Sequence, residues 1–340
     1  MNPILAFIKT TRPVNLLIIA ATMFTLRHFV EGGFIRLASS PFKYPMAGFT
    51  IYQISEIHFS LLTLIMVFLA ASGNIINDYF DVKVDRINKP NRITIDRGFK
   101  RRVAMAVHHT FNAIAVSAGI YLGWAEKVWF YAFTPIFIAG ALWFYSFYLK
   151  KTFLLGNVLV ALIVSIVPLW ATYGIINQPL IITADINGNS SLISDFYIFF
   201  TLIVLAYTIQ AYMISLFREI VKDAEDVKGD KEFGYKTLPI LWGWNKTRRV
   251  LLVSMTLWFL VLLATTHYIT SEFIAIWGLL FGILVAVPFL LSIWSLRKSN
   301  IKKAHFTKAS FLLKITLGGG LIFSAFIPEL MDSFLYQYFN

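Results

Sequence analysis

Long apolar segments alternate with short polar ones along the chain, and within each segment the apolar residues follow one another without alternation. A helix that crosses the roughly 30 Å hydrocarbon core of a bilayer needs about 20 mostly apolar residues, whereas membrane β-strands alternate with a period of two. The pattern therefore predicts an all-α polytopic membrane protein with nine transmembrane helices. The predicted spans are Asn15–Val30, Leu61–Asp78, Val103–Trp124, Val128–Tyr148, Phe153–Tyr173, Asp195–Phe217, Val250–Tyr268, Phe273–Leu296 and Phe311–Phe334.

The composition agrees with this fold class. Of the 340 residues, 58% are hydrophobic and 14% are charged, against about 45–50% and 25% in a typical soluble domain. These values exclude an ordinary soluble enzyme. The absence of cysteine excludes disulfides, zinc–thiolate centres and cysteine nucleophiles. Because no Pro/Ser-rich or low-complexity linker divides the chain, we expect a single domain over residues 1–340.

The basic residues predict the orientation in the membrane. The net charge is +12, and 25 of the 30 Lys and Arg residues fall in segments that a cytoplasmic N-terminus would place on the inner side. Cytoplasmic loops of membrane proteins carry such an excess. We therefore expect an integral protein of a prokaryotic cytoplasmic membrane with a cytoplasmic N-terminus, whose partner is the lipid bilayer and not a nucleic acid.

Two matching acidic patterns stand at the inner ends of the second and sixth predicted spans. Both read D-x2-D-x3-D, and each acid of the second follows its counterpart in the first by 145 positions. Positions i, i+3 and i+7 share roughly 60° of a helix face, so each set forms a stripe, which Asn74 or Glu219 extends by four residues. The two triplets are Asp78, Asp81 and Asp85, and Asp223, Asp226 and Asp230.

The chemistry of these stripes suits a divalent cation. Solvated acids paired with nearby basic residues are the simpler interpretation of one Asp, but two matched triplets are harder to explain in that way. Six carboxylates that face one cavity repel one another unless a cation neutralises them. Oxygen ligands suit Mg²⁺, which takes one or two carboxylates and keeps water and phosphate oxygens. The pattern predicts Mg²⁺ between the stripes and a phosphorylated ligand, with Lys150 and Lys222 as diphosphate contacts.

A metal-bound diphosphate beside an apolar intramembrane cavity points to an isoprenoid diphosphate. Loss of the diphosphate would leave an allylic cation, which an aromatic face can stabilise and which apolar walls would protect from water. Among the aromatic residues near the predicted site we select Tyr145 for this role. An acceptor nucleophile would then attack the cation.

The same residues carry a family resemblance. Residues 73–85, GNIINDYFDVKVD, resemble the first signature of the UbiA family of intramembrane prenyltransferases, N-D-x2-D-x3-D. Residues 218–230, REIVKDAEDVKGD, resemble its second signature, and residues 12–15, 145–157 and 236–239 are also similar. The resemblance implies a central cavity that opens to the cytoplasmic side and laterally to lipid. It also implies Mg²⁺-dependent transfer of a prenyl group from a polyprenyl diphosphate to a small-molecule or lipid acceptor.

Because all six aspartates match positions of the two family signatures, the resemblance implies that they are catalytic metal ligands. The implied substrate-binding residues are Asn15, Asn74, Asn77, Arg92, Tyr145, Lys150 and Lys222.

The acceptor stays open at this point. The motifs are most similar to the branch that makes digeranylgeranylglyceryl phosphate, and members that prenylate hydroxybenzoate, dihydroxynaphthoate or homogentisate are the alternative. Residues 93–98 depart from the family pattern because they lack its second proline and its Pro-Ser pair, in a loop expected to cap the site. A transporter is the non-enzyme alternative, although its ion sites would lie near mid-span and not at helix ends.

Overall fold

A computed structural model describes residues 2–39, 49–50, 54–176, 181–182, 190–272, 275–298 and 300–326. These residues are almost entirely helical, apart from strands β1 (Phe49–Thr50) and β2 (Ile181–Ile182), which pair antiparallel. A π-helical turn, Gly282–Ala286, joins α9 to α10, and short 3-10 turns cover Pro90–Arg92 and Leu149–Lys151. The α-helices are α1 Pro3–Thr11, α2 Pro13–Ser39, α3 Glu56–Asn88, α4 Arg101–Ala125, α5 Phe130–Phe147, α6 Leu155–Ile176, α7 Ser190–Glu232, α8 Leu238–Glu272, α9 Ala275–Phe281, α10 Val287–Leu296 and α11 Lys303–Ser324.

The predicted helical membrane fold is confirmed. Within the described ranges, eight helices are long and apolar enough to cross a membrane, with α9 to α10 counted as one. Helices α1 and α2 together provide a ninth candidate, bent by 44°. The bend falls at Arg12, which has a left-handed backbone (φ 56°) and is followed by Pro13, the first residue of α2. Proline is well suited to a first helical position because its missing N–H has no helical partner there.

The boundaries differ from the predicted spans where polar residues continue a helix. Helix α3 runs ten residues past the predicted end at Asp78, and α7 runs fifteen past Phe217. Hydropathy marks only the part of a helix that lies in hydrocarbon, so these extensions carry five of the six aspartates, and Asp78 is the last residue of its predicted span. The prediction Phe311–Phe334 is wrong in its limits, because α11 covers Lys303–Ser324. Its polar first two turns escape a hydropathy criterion, and residues 327–334 lie outside the described residues.

Helix α3 organises the bundle, since it packs against α1, α2, α4, α5, α6 and α7. Its buried residues Phe59 and Leu62 belong to the main hydrophobic core. Trp170 of α6 is also fully buried, and its indole Nε1 donates a hydrogen bond to the Leu62 carbonyl at 3.2 Å. The polar edge of that ring is thus satisfied inside the core.

A second, smaller core fixes the loop that follows α3. Ile95 and Phe99 of this loop are buried against Ala6 of α1 and Val82 of α3. The hydroxyls of Thr10 and Thr94 share a hydrogen bond of 2.6 Å. The loop that departs from the family pattern is therefore packed in place by its own apolar residues. Its capping role stays a prediction.

Candidate active site

The structure brings the two acidic triplets to the same end of the bundle, called here the acidic end. Helices α3 and α7 lie side by side there. Lys89, directly after α3, places Nζ 2.5 Å from Asp226 Oδ2 of α7. Burial lowers the pKa of Lys89, but the carboxylates of Asp226, Glu225 and Asp85 together outweigh it, so the pKa ends above its ordinary value. Lys89 is therefore a protonated link between the two helices.

Asn88, the last residue of α3, makes a second link. Its Nδ2 donates to Asp230 Oδ1 at 3.2 Å, and its Oδ1 accepts the Gly229 backbone N–H at 2.8 Å. A Cβ at position 229 would lie 2.7 Å from the Asn88 amide. A glycine at this position therefore allows the close contact.

Basic side chains pair with two acids of the first triplet, Asp78 and Asp81. Arg12 Nη2 donates to Asp78 Oδ1 at 2.6 Å, from the bend between α1 and α2. Lys150 Nζ donates to Asp81 Oδ1 at 2.5 Å, and the Lys150 side chain is only 7% exposed. Asp85 lies half-buried on the next turn of α3. The predicted site residue Lys150 thus contacts the triplet directly.

The three acids of the second triplet have two amide partners and one basic partner. Asn157 Nδ2 of α6 donates to Asp223 Oδ2 at 2.8 Å. Asp226 receives Lys89 through Oδ2, while its Oδ1 is buried and has no hydrogen-bond partner. An orphaned carboxylate oxygen is costly to bury. Its position makes it available to a cation.

One turn deeper, the polar positions that extend the stripes have different partners. Arg12 Nη1 donates to Asn74 Oδ1 at 3.0 Å, and Asn74 Nδ2 donates to the Thr11 carbonyl at 3.1 Å. On α7, Lys222 Nζ donates to Glu219 Oε1 at 2.6 Å. The structure therefore places Lys222 against Glu219 and not against a triplet acid.

The other predicted substrate-binding residues are distributed around the same end. Tyr145 is a half-buried residue of α5, which packs against α3, the helix of the first triplet. Asn15 of α2 accepts a hydrogen bond from Lys314 Nζ at 2.9 Å. Asn77 is half-buried beside Asp78 on α3. Arg92 ends the 3-10 turn Pro90–Arg92, and its side chain lies outside the described residues.

Sequence reasoning did not select four residues that contact the aspartates. Arg12 carries a detectable signal, since a basic residue directly before a proline stands between two apolar helices. Spacing gives no signal for the contacts of Asn88 and Asn157, because their partners are 142 and 66 positions away. The missed residues are Arg12, Asn88, Lys89 and Asn157.

The donor set fits Mg²⁺ when phosphate oxygens complete its shell. Across the described ranges, no three His, Asp or Glu side chains converge closely enough to hold a metal ion alone. Mg²⁺ does not require such a cage, because it usually binds one or two carboxylates together with water and substrate phosphates. Carboxylates from two helices, with Asp226 Oδ1 unpartnered, match that requirement.

Membrane-length helices that hold paired acids and basic side chains at one end define an intramembrane protein with a polar centre for a charged ligand. The chain belongs to the UbiA prenyltransferase family, whose sequence profile matches residues 46–315. The family predicted from the two signatures is confirmed.

Comparison with individual proteins supports this assignment. The chain is 32% identical over 195 residues to the digeranylgeranylglyceryl phosphate synthase of Thermococcus sibiricus, a match that covers 56% of this chain and 59% of that relative. The match thus spans about three fifths of the relative's length.

Two solved structures share the fold. A structure of digeranylgeranylglyceryl phosphate synthase gives a TM-score of 0.59 at 21% identity and covers 98% of this chain and 100% of that one. A UbiA homologue from Archaeoglobus fulgidus bound to DMAPP and Mg²⁺ gives a TM-score of 0.51 at 17% identity, with 93% and 98% covered.

Proposed function

We propose that this protein transfers a prenyl group from a polyprenyl diphosphate to a glyceryl phosphate lipid inside the membrane, in a Mg²⁺-dependent reaction. The observation that carries the proposal is the junction of the two acidic triplets, where Lys89 contacts Asp226 and leaves Asp226 Oδ1 buried without a partner. The Mg²⁺ and DMAPP in the Archaeoglobus fulgidus homologue support the same chemistry.

The six aspartates would hold the cation and, through it, the diphosphate. When bound, Mg²⁺ would offset the negative charge that develops on the leaving diphosphate. Lys150 and Lys89 now neutralise Asp81 and Asp226. With those carboxylates occupied, both ammonium groups would be free to donate to the diphosphate oxygens. The remaining substrate-binding candidates are Asn15, Asn74, Asn77, Arg92, Tyr145 and Lys222.

The reaction breaks the allylic C–O bond, and the electron pair leaves with the diphosphate oxygen. The acceptor hydroxyl then forms the new bond to the allylic carbon, and its proton passes to one of the site carboxylates. The location of Tyr145 on α5, which packs against the first acidic helix, supports a role of its ring in stabilising the cation. In the aromatic-acid alternative, a ring carbon of the acceptor would take the place of the hydroxyl.

The proposal includes an orientation. Residues 1–340 act as one domain in a prokaryotic cytoplasmic membrane, with the N-terminus and the acidic end on the cytoplasmic side. A central cavity opens to that side and laterally to lipid. The bilayer supplies both the acceptor and the apolar surroundings that exclude water.

Diphosphate release tests the proposal. The full-length protein in lipid nanodiscs is given geranylgeranyl diphosphate and, in parallel reactions, geranylgeranylglyceryl phosphate, hydroxybenzoate, dihydroxynaphthoate or homogentisate. We expect Mg²⁺-dependent release with the glyceryl phosphate and none with EDTA. Turnover only with an aromatic acid would move the protein to the quinone-pathway alternative. No release with any pair, across several prenyl lengths, would overturn the transferase assignment.

A further inference from the structure

Lys314 places a positive charge inside a membrane-length helix. It lies near the middle of α11, whose residues Lys303–Ser324 are long and apolar enough to span a membrane. Lys303 of the same helix reaches the Asn88 carbonyl at the acidic end. Lys314 follows it by eleven residues, a rise of about 17 Å along the helix. Ionisable residues at such positions are expensive to maintain and commonly functional.

The surroundings of Lys314 are basic. Its Nζ donates to the neutral amide of Asn15 at 2.9 Å. The backbone N–H of Asn15 donates to the Arg12 carbonyl, and α11 packs against α7, which carries Arg218. Arg218 Nη1 is 3.3 Å from Glu219 Oε1, but the Nε of Arg218 is buried without a hydrogen-bond partner. A guanidinium donor is thus left unsatisfied on the helix that packs against α11.

The described contacts leave this region with an excess of positive charge. Four cations lie on the packed helices of this region, and their described ion pairs involve two carboxylates. Asp78 pairs with Arg12, while Glu219 receives both Lys222 and Arg218. Charge of this kind within a membrane bundle is stabilised by an opposite charge. An anionic ligand would supply it. The four cations are Arg12, Arg218, Lys222 and Lys314.

The excess lies apart from Lys89 and Lys150, the two cations that we propose to donate to the diphosphate. Lys89 and Lys150 contact the outer acids Asp226 and Asp81. Arg218 precedes Asp226 by eight residues on α7, a rise of about 12 Å, which is longer than a diphosphate group. A second anion in the cavity would repel the diphosphate unless separate cations held it.

We propose that Arg218 and Lys314, with Lys222 beside them, form a subsite for the anionic head group of the acceptor. The inference rests on the proposed function and adds to it. Glyceryl phosphate lipids and aromatic acids share the required chemistry, an oxyanion at one end and a nucleophile at the other. The subsite holds the oxyanion one to two turns inside the membrane from the acidic triplets and directs the nucleophile toward the prenyl carbon.

Equilibrium binding without donor or metal tests this subsite independently of turnover. The probes are two pairs, each an anion and its uncharged counterpart: geranylgeranylglyceryl phosphate with its dephosphorylated glycerol ether, and 4-hydroxybenzoate with 4-hydroxybenzyl alcohol. We expect the wild-type protein to bind one anion roughly ten- to a hundredfold more tightly than its counterpart, as for one or two charge-assisted hydrogen bonds. The pair that shows this preference identifies the head group as phosphate or carboxylate.

The variants separate charge from structure. Lys314→Gln keeps a polar partner for Asn15 and is expected to lose the preference for the anion, while Lys314→Arg keeps it. Lys308→Gln, an exposed position of the same helix, is the matched control and is expected to behave as wild type. If Lys314→Gln does not fold, Arg218→Gln takes its place and is likewise expected to lose the preference for the anion.

Equal weakening of both members of a pair by Lys314→Gln would overturn the subsite, as would an unchanged preference. The assay contains no prenyl diphosphate, so failure of the subsite and failure of the transferase assignment are distinguishable. Loss of anion preference in a protein that still releases diphosphate supports the subsite. An intact preference in a protein without turnover would count against the proposed function alone.

Discussion

Asn88 at the end of α3 donates a hydrogen bond from Nδ2 to Asp230 Oδ1 of α7, 3.2 Å away. The same side chain accepts the backbone N–H of Gly229. This short amide therefore helps to fix the separation of the two acidic helices, on which a cation shared between them depends.

We predict that Gly229→Ala lowers prenyl transfer at least tenfold without destabilising the protein. The added Cβ would displace the Asn88 amide, while alanine favours the helix by about 1 kcal/mol over glycine. Gly140→Ala on α5 is the control, because a Cβ there meets nothing within 4 Å. Initial rates and thermal melting distinguish the two effects, and a wild-type rate in Gly229→Ala would contradict the spacing role of Asn88.

Arg12 is predicted to need a guanidinium and not merely a positive charge. Its two terminal nitrogens reach Asp78 and Asn74 at once, a forked contact that an ammonium group cannot reproduce. We expect Arg12→Lys to keep a small part of the activity and Arg12→Gln to lose about a hundredfold. Wild-type kcat and KM in Arg12→Lys would show that the fork is unnecessary.

Lys150 is predicted to act on the prenyl diphosphate. Loss of one charge-assisted hydrogen bond costs about 1.5–3 kcal/mol, so Lys150→Met should raise the KM for the donor roughly ten- to a hundredfold. The KM for the acceptor should change little. Lys228→Met, an exposed lysine of α7, serves as the control. A change confined to kcat would instead indicate that Lys150 only positions Asp81.

Periodicity predicted the parts of this fold that depend on local sequence. The membrane helices and the two acidic stripes follow from residue spacing alone, because three acids at i, i+3 and i+7 share a face wherever the helix is located. Contacts between helices distant in sequence do not follow from spacing. In the sequence, Asn88 is an ordinary polar residue at a helix end. Its hydrogen bond to Asp230 depends on how α3 packs against α7.

The partner of Lys222 shows a second reason why the sequence does not predict every contact in the site. A lysine beside an acidic triplet favours a phosphate contact on charge alone. The helix nevertheless places Lys222 one turn from Glu219, and the two side chains form an ion pair. The boundaries of α11 illustrate a third reason. A hydropathy criterion does not detect the start of a helix whose first turns are basic.

The central claim is that acids from both helices hold the cation and the diphosphate. Its most direct test is Mg²⁺-dependent diphosphate release by Asp78→Asn and Asp223→Asn. Glu232→Gln, an exposed acid at the end of α7, is the matched control, and circular dichroism verifies folding. We predict that both aspartate variants stay folded and lose nearly all turnover, while Glu232→Gln matches wild type. Wild-type release by both Asp78→Asn and Asp223→Asn would contradict the account.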